Sequence, residues 1–268
     1  MKKKILIALP ALNEALNLPK VLASIAHYPM DVLLVDDGSI DDTNKVAAQF
    51  NIQVIQHNQN LGLSEVYKSF IQYGVEHHYT HIITLDSDGQ HDSLLIPDFV
   101  DSIDKSQIII GNRFSDLHSI PDEKLSSNFF ASLLTQSIYG IFLPDISCGF
   151  RAFNLDYLKT MPVQASSYGV IFQMVFETIR RNIRPHYIPM KANYNNQLLK
   201  TNSAEILSLL EQAQRFNQRK NYDGIIQKVK IQDSFSIELS EIRFNFTPID
   251  RNAYVISTDI SKAPQYYQ

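Results

Sequence analysis

Short apolar segments alternate with helical patterns throughout the first half of this 268-residue chain. The predicted strands are Ile5–Leu9, Val32–Val35, Gln53–Ile55, His81–Leu85 and Gln107–Ile110. The predicted helices between them are Leu18–Ala26, Thr43–Phe50, Leu63–Val75 and Leu95–Ile103. Strand–helix alternation requires crossover connections, so the sequence predicts an α/β fold with a mainly parallel central sheet. Ligands bind such sheets at the carboxyl ends of the strands.

The composition excludes several classes of protein. The chain has 24 Lys and Arg against 28 Asp and Glu, a net charge of −4, and therefore lacks the basic surface of a general nucleic-acid binder. Its single cysteine, Cys148, excludes a disulfide framework and a Cys-rich zinc site. The apolar run after the basic start ends at Leu9, which is too short for a signal peptide. We therefore expect a cytoplasmic protein, with peripheral attachment to the inner membrane face as an option.

The second half changes character near residue 221. Helical patterns precede it, with predicted helices at Phe172–Ile179 and Ile206–Phe216. After it, apolar and polar residues alternate with a slip at Ser240-Glu241, which predicts a hairpin or two adjoining strands. We therefore predict a main domain over residues 1–220 and a small strand-rich C-terminal extension over residues 221–268.

Two carboxylates two residues apart follow the fourth predicted strand. The segment reads Leu85-Asp86-Ser87-Asp88-Gly89-Gln90. Like charges this close resist ionisation unless a cation lies between them. Oxygen ligands of this kind select Mg²⁺ or Mn²⁺, which also bind substrate phosphates, and Gln90 offers an amide oxygen. The alternative is a solvated turn rich in Asp and Gly.

A second acidic cluster, Asp36-Asp37-Gly38-Ser39, follows the second strand. A carboxylate here suits a hydrogen bond to a base or ribose, although the segment also fits a capping loop with Asp41 or Asp42 as the cap. None of the nine glycines forms a Gly-x-Gly pair. The dinucleotide fingerprint and the phosphate loop are therefore both absent.

Six motifs, taken in order, resemble those of the family-2 glycosyltransferases of GT-A fold. Within that family they are most similar to the polyprenyl-phosphate (dolichol-phosphate mannose synthase-like) sugar transferases. The resemblance covers roughly residues 4–190. The motifs are Leu9-Pro10-Ala11-Leu12-Asn13-Glu14, Val35-Asp36-Asp37-Gly38-Ser39, Asn60-Leu61-Gly62, Leu85-Asp86-Ser87-Asp88-Gly89-Gln90-His91, Gly111-Asn112-Arg113-Phe114 and Asp145-Ile146-Ser147-Cys148-Gly149-Phe150-Arg151-Ala152-Phe153.

The resemblance implies a metal-dependent transferase that uses a UDP- or GDP-sugar and inverts the anomeric centre in one displacement. Asp86 and Asp88 would bind Mg²⁺ or Mn²⁺, with Gln90 as a third ligand, and Asp88 would also count as catalytic. The metal would neutralise the departing nucleoside diphosphate. The residues implied for donor binding are Pro10, Asn13, Glu14, Asp37 and Asp86, with Asp37 at the base.

The resemblance also implies an acceptor site. Arg113 would face the phosphate of a polyprenyl-phosphate acceptor, since a guanidinium binds phosphate bidentately. Arg151 either contacts the acceptor or orders the strand beside it. An ionised phosphate needs no general base, whereas transfer to a sugar or protein hydroxyl would need one, and Asp145 is the candidate.

Two segments raise the question of partners. Leu125–Pro144 carries no formal charge and has bulky apolar residues, so we expect peripheral membrane contact through residues 125–144 unless the helix packs on the sheet. The extension over 221–268 could pair with a second copy to form a homo-oligomer, or cover its own domain. Two further alternatives are a nucleotidyltransferase and a non-catalytic sugar-nucleotide-binding protein. The missing glycine-rich loop argues against the former, and the intact Asp86/Asp88 pair against the latter.

Overall fold

The computed structural model describes residues 3–166, 168–191, 193–194, 201–216, 222–239 and 242–258, with only the backbone of 201 and 202. Its larger sheet has seven strands within these residues, in the order β3-β2-β1-β4-β6-β5-β7. Their bounds are β1 Ile5–Ala11, β2 Asp31–Asp36, β3 Gln53–Gln56, β4 His81–Thr84, β5 Ile108–Asn112, β6 Arg151–Asn154 and β7 His186–Pro189. The five strands predicted in the first half are all present.

Most of this sheet is parallel, as predicted. β1 pairs in parallel with β2 and β4, β2 with β3, and β5 with β7. The short strand β6 lies antiparallel between β4 and β5. The three central strands are almost wholly buried, which explains their continuous apolar sequences. The loops after β1 to β4 therefore meet at one edge of the sheet.

Nine α-helices are described. They are α1 Leu18–Ile25, α2 Thr43–Ala47, α3 Leu63–Glu76, α4 Ile96–Ser102, α5 Asp122–Tyr139, α6 Leu155–Leu158, α7 Gly169–Arg180, α8 Ser203–Phe216 and α9 Asp223–Ile231. Two 3₁₀ segments, Ser93–Leu95 and Arg113–Ser119, precede α4 and α5. The sequence patterns identified α1 to α4, α7 and α8, with ends differing by a few residues. They missed α9, which begins the C-terminal extension.

A second, antiparallel sheet has the order β8-β11-β10-β9. Its strands are β8 Thr201–Asn202, β9 Phe235–Leu239, β10 Ile242–Asp250 and β11 Ala253–Thr258. β9 and β10 pair as the predicted hairpin, while the predicted slip at Ser240-Glu241 lies outside the described residues. Buried and exposed residues alternate along both strands, so one face of this sheet lies in the core.

That face covers helix α5. Phe129 and Phe130 lie with ring centroids 6.2 and 5.2 Å from Phe244, and Phe130 lies 5.2 Å from Phe246. Phe129 and Phe130 are 3% and 1% exposed. The packing alternative therefore describes Phe129 and Phe130, because the C-terminal sheet buries both rings, and membrane contact through residues 125–144 stays a prediction. In the described part of the chain, no helix combines the length and the apolar character needed to cross a membrane.

Candidate active site

A cleft of about 340 Å³ opens at the carboxyl edge of the parallel strands. The loops after β1, β2, β3 and β4 build its walls, together with the start of α7. Its lining residues are Pro10, Ala11, Leu12, Glu14, Asp37, Asn60, Gly62, Leu63, Val66, Asp86, Ser87, Asp88 and Tyr168. Four of the five residues predicted to bind the donor therefore line one cleft, the exception being Asn13.

Asn13 ties two loops of the cleft together. It adopts a left-handed backbone with φ of 59°, its N–H donates to Ser39 Oγ at 2.8 Å, and its Oδ1 accepts from the Ile40 N–H at 2.9 Å. The next N–H, of Glu14, donates to Thr43 Oγ1 at 2.8 Å. In this structure Asn13 fixes the loops after β1 and β2 relative to each other and contributes no lining surface.

Asp37 lies at the far side of the cleft and is nearly buried. Its Oδ2 accepts from the Gly62 N–H at 2.8 Å, and its Oδ1 accepts from the Leu61 N–H at 3.0 Å and lies 2.6 Å from His57 Nδ1. His57 Nε2 in turn lies 3.0 Å from Ser69 Oγ on α3. The Asn60-Leu61-Gly62 motif thus holds Asp37 through its backbone, which fixes the carboxylate at the cleft wall.

Three carboxylates converge in the middle of the cleft. Burial raises the pKa of Asp86, and burial together with the Asp86 charge raises the pKa of Asp88. Burial also raises the pKa of Glu14, whose Oε2 accepts from Asn17 Nδ2 at 2.9 Å, and Asp88 and Asp86 add to that rise. Three carboxylates close together, partly offset by the Arg113 charge, therefore dominate the electrostatics of the site.

The aspartate pair fits a divalent metal that also binds phosphate. No group of three or more His, Cys, Asp or Glu side chains in the described residues is arranged to hold an ion. Mg²⁺ needs only one or two protein carboxylates when substrate phosphates supply further ligands. Asp86 and Asp88 provide that pair. Gln90 donates its backbone N–H to Asp88 Oδ1 at 2.9 Å, and its role as a third ligand stays a prediction.

His91 and Gly149 fix the position of Asp86. His91 Nδ1 accepts from the Asp86 N–H at 3.1 Å, and its Nε2 lies 3.6 Å from Asp86 Oδ2. Burial lowers the pKa of His91 to about 4, so the ring is neutral and Nε2 carries the proton. A Cβ at Gly149 would lie 2.6 Å from both Asp86 carboxylate oxygens, so only glycine leaves room for them.

Arg113 and Asp145 form a buried ion pair beside the cleft. Arg113 Nε donates to Asp145 Oδ2 at 2.7 Å, and Nη2 donates to Oδ1 at 2.5 Å. Nη2 also donates to Ser147 Oγ, and Nη1 donates to Tyr194 OH, both at 3.1 Å. Burial alone would lower the pKa of Arg113, but Asp145 holds it well above the ordinary value. Asp145 has no exposed surface and both oxygens engaged, which is a poor arrangement for a general base.

Arg151 is fully buried, and every hydrogen bond that it makes within the described residues goes to a backbone carbonyl. Its Nε, Nη1 and Nη2 donate to Cys148 O, Ile171 O and Ile146 O at 2.7, 2.9 and 2.6 Å. This geometry favours the ordering role for Arg151 over acceptor contact, because its donors join the 145–150 loop to α7. Burial also raises the pKa of Cys148 to about 12, so its thiol stays protonated and is no nucleophile.

The sequence patterns missed two residues of the site. Tyr168 stands beyond the last motif and four residues before the predicted helix Phe172–Ile179, so no sequence pattern singled it out. Gly149 was quoted within a motif, but the motif did not indicate that its missing side chain makes room for Asp86. Sequence spacing cannot reveal a contact between segments more than sixty residues apart.

Comparison with known proteins gives the site its context. The model of the family described as "Glycosyl transferase family 2" matches residues 6–161, which is more than half of the chain. An undecaprenyl-phosphate mannosyltransferase of Micrococcus luteus is 26% identical over 200 residues, covering 70% of this chain and 82% of that protein. A polyprenol monophosphomannose synthase of Mycolicibacterium smegmatis is 25% identical over 185 residues, covering 64% and 70%.

Solved structures agree on the fold. Glucosyl-3-phosphoglycerate synthase from Mycobacterium tuberculosis, in complex with Mn²⁺, UDP and glucosyl-3-phosphoglycerate, superimposes with a TM-score of 0.61 at 16% identity. The superposition covers 94% of this chain and 90% of that one. The fold is therefore the GT-A fold that the motifs implied. On the family match and the fold together, this chain belongs to glycosyl transferase family 2 and is a glycosyltransferase.

Proposed function

We propose that the protein is a metal-dependent, inverting transferase that moves a sugar from a UDP- or GDP-sugar to the phosphate of a polyprenyl phosphate. The observation that carries the proposal is the cleft in which Asp86 and Asp88 lie together with Asp37, with the Arg113 guanidinium at its side. Relatives named as polyprenyl-phosphate mannosyltransferases and synthases support the acceptor class. We also propose a cytoplasmic location, where nucleotide sugars would be available.

The donor would bind across the cleft with its two ends at different carboxylates. Asp37 accepts hydrogen bonds only, so it suits an N–H on the edge of uracil or guanine. Asp86 and Asp88 would hold the metal with the diphosphate, and the bound ion would act as a Lewis acid on the leaving group. His91 and Gly149 keep the Asp86 oxygens in place, and Glu14 extends the negative field that retains the cation.

The acceptor would approach beside Arg113. The Arg113 guanidinium is close enough to Asp86 to affect its ionisation, since the positive charge lowers the pKa of that carboxyl against the effect of burial. Arg113 Nη1 carries two hydrogens and donates one of them to Tyr194 OH. The other has no partner among the described residues and is available to a ligand. Asp145 orients the guanidinium from behind. An acceptor phosphate held there is already ionised, so no residue has to remove a proton from it.

Transfer to a sugar or protein hydroxyl is the second candidate. It would need a general base, and the Asp145 carboxylate is buried with both oxygens on Arg113. One observation favours a non-lipid acceptor. The apolar face of α5 is buried under the C-terminal sheet and is therefore not exposed for contact with a prenyl chain. The choice of acceptor can be made directly by experiment.

The test is incubation of the purified chain with Mn²⁺, UDP-glucose or GDP-mannose, and a short-chain polyprenyl phosphate. Mass spectrometry should detect a prenyl-phosphate sugar, and nuclear magnetic resonance should show inverted anomeric configuration. Asp88→Asn is the matched control and should form no product. Product on a hydroxyl acceptor alone would contradict the phosphate assignment. Nucleotide-sugar binding without transfer to any acceptor would favour a binding protein.

A further inference from the structure

Tyr168 lines the cleft and is 46% exposed. It precedes α7 and lines the same cleft as Glu14, Asp86 and Asp88. Its hydroxyl makes no hydrogen bond to any residue that the structure describes. Tyr168 therefore presents a large aromatic side chain, with a hydroxyl donor that no described residue uses, to the cleft that contains the three carboxylates.

Side chains hold the backbone of described residues on both sides of Tyr168 in the sequence. Gln173 Oε1 accepts from the N–H groups of Gln164 and Ala165, both at 3.1 Å. The Ala165 carbonyl also accepts from Ser64 Oγ on α3. On the other side, the Ile171 carbonyl accepts from Arg151 Nη1. Residues 164, 165 and 171, which flank Tyr168, are therefore each held by a side chain of another residue.

The position of the ring suggests what it contacts. The diphosphate of a donor bound through Asp86 and Asp88 would place the sugar, attached by a single oxygen, directly beside these carboxylates. Sugars present apolar C–H faces and hydroxyl groups at once, which suits an amphipathic aromatic residue. The remaining lining side chains near the aspartates are Glu14, Ser87 and Pro10, and none of them offers an aromatic face.

We propose that Tyr168 is a sugar-binding residue of the donor site, with its ring packed against the transferred sugar and its hydroxyl donating a hydrogen bond to it. The assignment rests on the proposed use of a nucleotide sugar. The electrostatics agree, because burial and the nearby carboxylates of Glu205, Asp86, Asp88 and Glu14 all raise the pKa of Tyr168. The phenol therefore keeps its proton at neutral pH and can act as a donor.

The test compares ligands that differ only in the sugar. Calorimetry with Mn²⁺ would measure the Kd of UDP, UDP-glucose, GDP and GDP-mannose for the parent, Tyr168→Phe and Tyr168→Ala. We expect Tyr168→Ala to bind the better nucleotide sugar about tenfold more weakly while its Kd for the matching nucleoside diphosphate stays unchanged. Tyr168→Phe should fall between the two. Tyr73→Phe, on α3 in a different cavity, is the control and should match the parent.

Each outcome has a defined meaning. Equal Kd values for the nucleotide sugar in parent and Tyr168→Ala overturn the assignment. Equal weakening for the diphosphate and its sugar also overturns it, since the contact would then be with the diphosphate. If the parent binds neither UDP nor GDP with or without a sugar, the proposed function fails and takes the Tyr168 assignment with it. Circular dichroism and Tm would confirm that both variants fold.

Discussion

At the scale of single residues, the aspartate pair shows a conflict between stability and function. Burial raises the pKa of both Asp86 and Asp88, and both carboxylates in turn raise the pKa of Glu14. A carboxyl whose pKa is higher in the folded state stabilises the fold when protonated, and that contribution is lost as the pH rises through the raised pKa. At neutral pH, the metal-free protein therefore carries charge that disfavours folding, as functional sites commonly do.

Asp88→Asn should therefore stabilise the metal-free protein at neutral pH. The amide keeps an oxygen for the Gln90 N–H and removes one of the converging charges. A gain of about 1 kcal/mol would raise Tm by about 2–4 °C. The difference from the parent should disappear in acid, where the parent's carboxyl is also protonated. Calorimetric scans from pH 4 to pH 7 would check this, and Mn²⁺ should stabilise the parent but not the variant.

Gly149→Ala tests whether the Asp86 carboxylate needs the space beside the Gly149 backbone. The new Cβ would stand 2.6 Å from both oxygens, and the Gly149 carbonyl is held by Thr84 Oγ1 at 2.8 Å, so the carboxylate has to move. We expect Mn²⁺-dependent nucleotide binding to weaken by about tenfold or more, with a stability loss of about 1–3 kcal/mol. Gly224→Ala on α9, with open space around its Cβ, is the control. If nucleotide binding by Gly149→Ala depended on Mn²⁺ as it does in the parent, the space at Gly149 would not be needed for the position of Asp86.

The sequence predicted the positions of site residues correctly where a carboxylate directly follows a parallel strand. Asp37, Asp86 and Asp88 follow parallel strands, so sheet geometry alone brings them into one cleft. The roles of Arg151 and Asn13 were not predictable, because a guanidinium or an amide binds backbone and ligand equally well. Only the positions of their partners in the fold distinguish the two uses.

At the scale of elements, α5 and β10 depend on each other. The apolar residues of α5 resembled a surface helix in the sequence because their partners, Phe244 and Phe246, follow more than a hundred residues later. The alternation along β10 predicted a strand with one buried face but could not indicate what that face covers. The short strand β6 escaped prediction because four residues beginning with a charged arginine carry little periodic signal.

Phe244→Ala should destabilise the whole chain. The ring has no exposed surface and contacts both phenylalanines of α5, so its loss leaves a cavity between helix and sheet. Such truncations cost about 3–5 kcal/mol. Asn245→Ala, the exposed neighbour on the same strand, should have little effect. Urea unfolding would measure both, and a Phe244→Ala value close to that of Asn245→Ala would contradict the packing of this sheet on α5.

At the scale of the whole molecule, the predicted division at residue 220 stays a prediction, and the structure shows how closely the two parts join. β8 comes from the first part and pairs with β11 of the second, and the buried faces of both parts form one continuous core. The extension thus covers its own domain, which was one of the two alternatives for it. Pairing with a second copy through the edge strand β9 stays a prediction.

The covered face of α5 leads to a prediction about membranes. The obvious lipid-binding variant, Phe129→Ser with Phe130→Ser, changes residues that lie under the C-terminal sheet. It should lower the free energy of unfolding by several kcal/mol, as buried Phe truncations do, without releasing the protein from any membrane. Co-sedimentation with anionic liposomes at low salt, alongside urea unfolding, would separate the two effects. A folded variant that leaves liposomes to which the parent binds would show that α5 does reach the bilayer, and that the sheet opens to allow it.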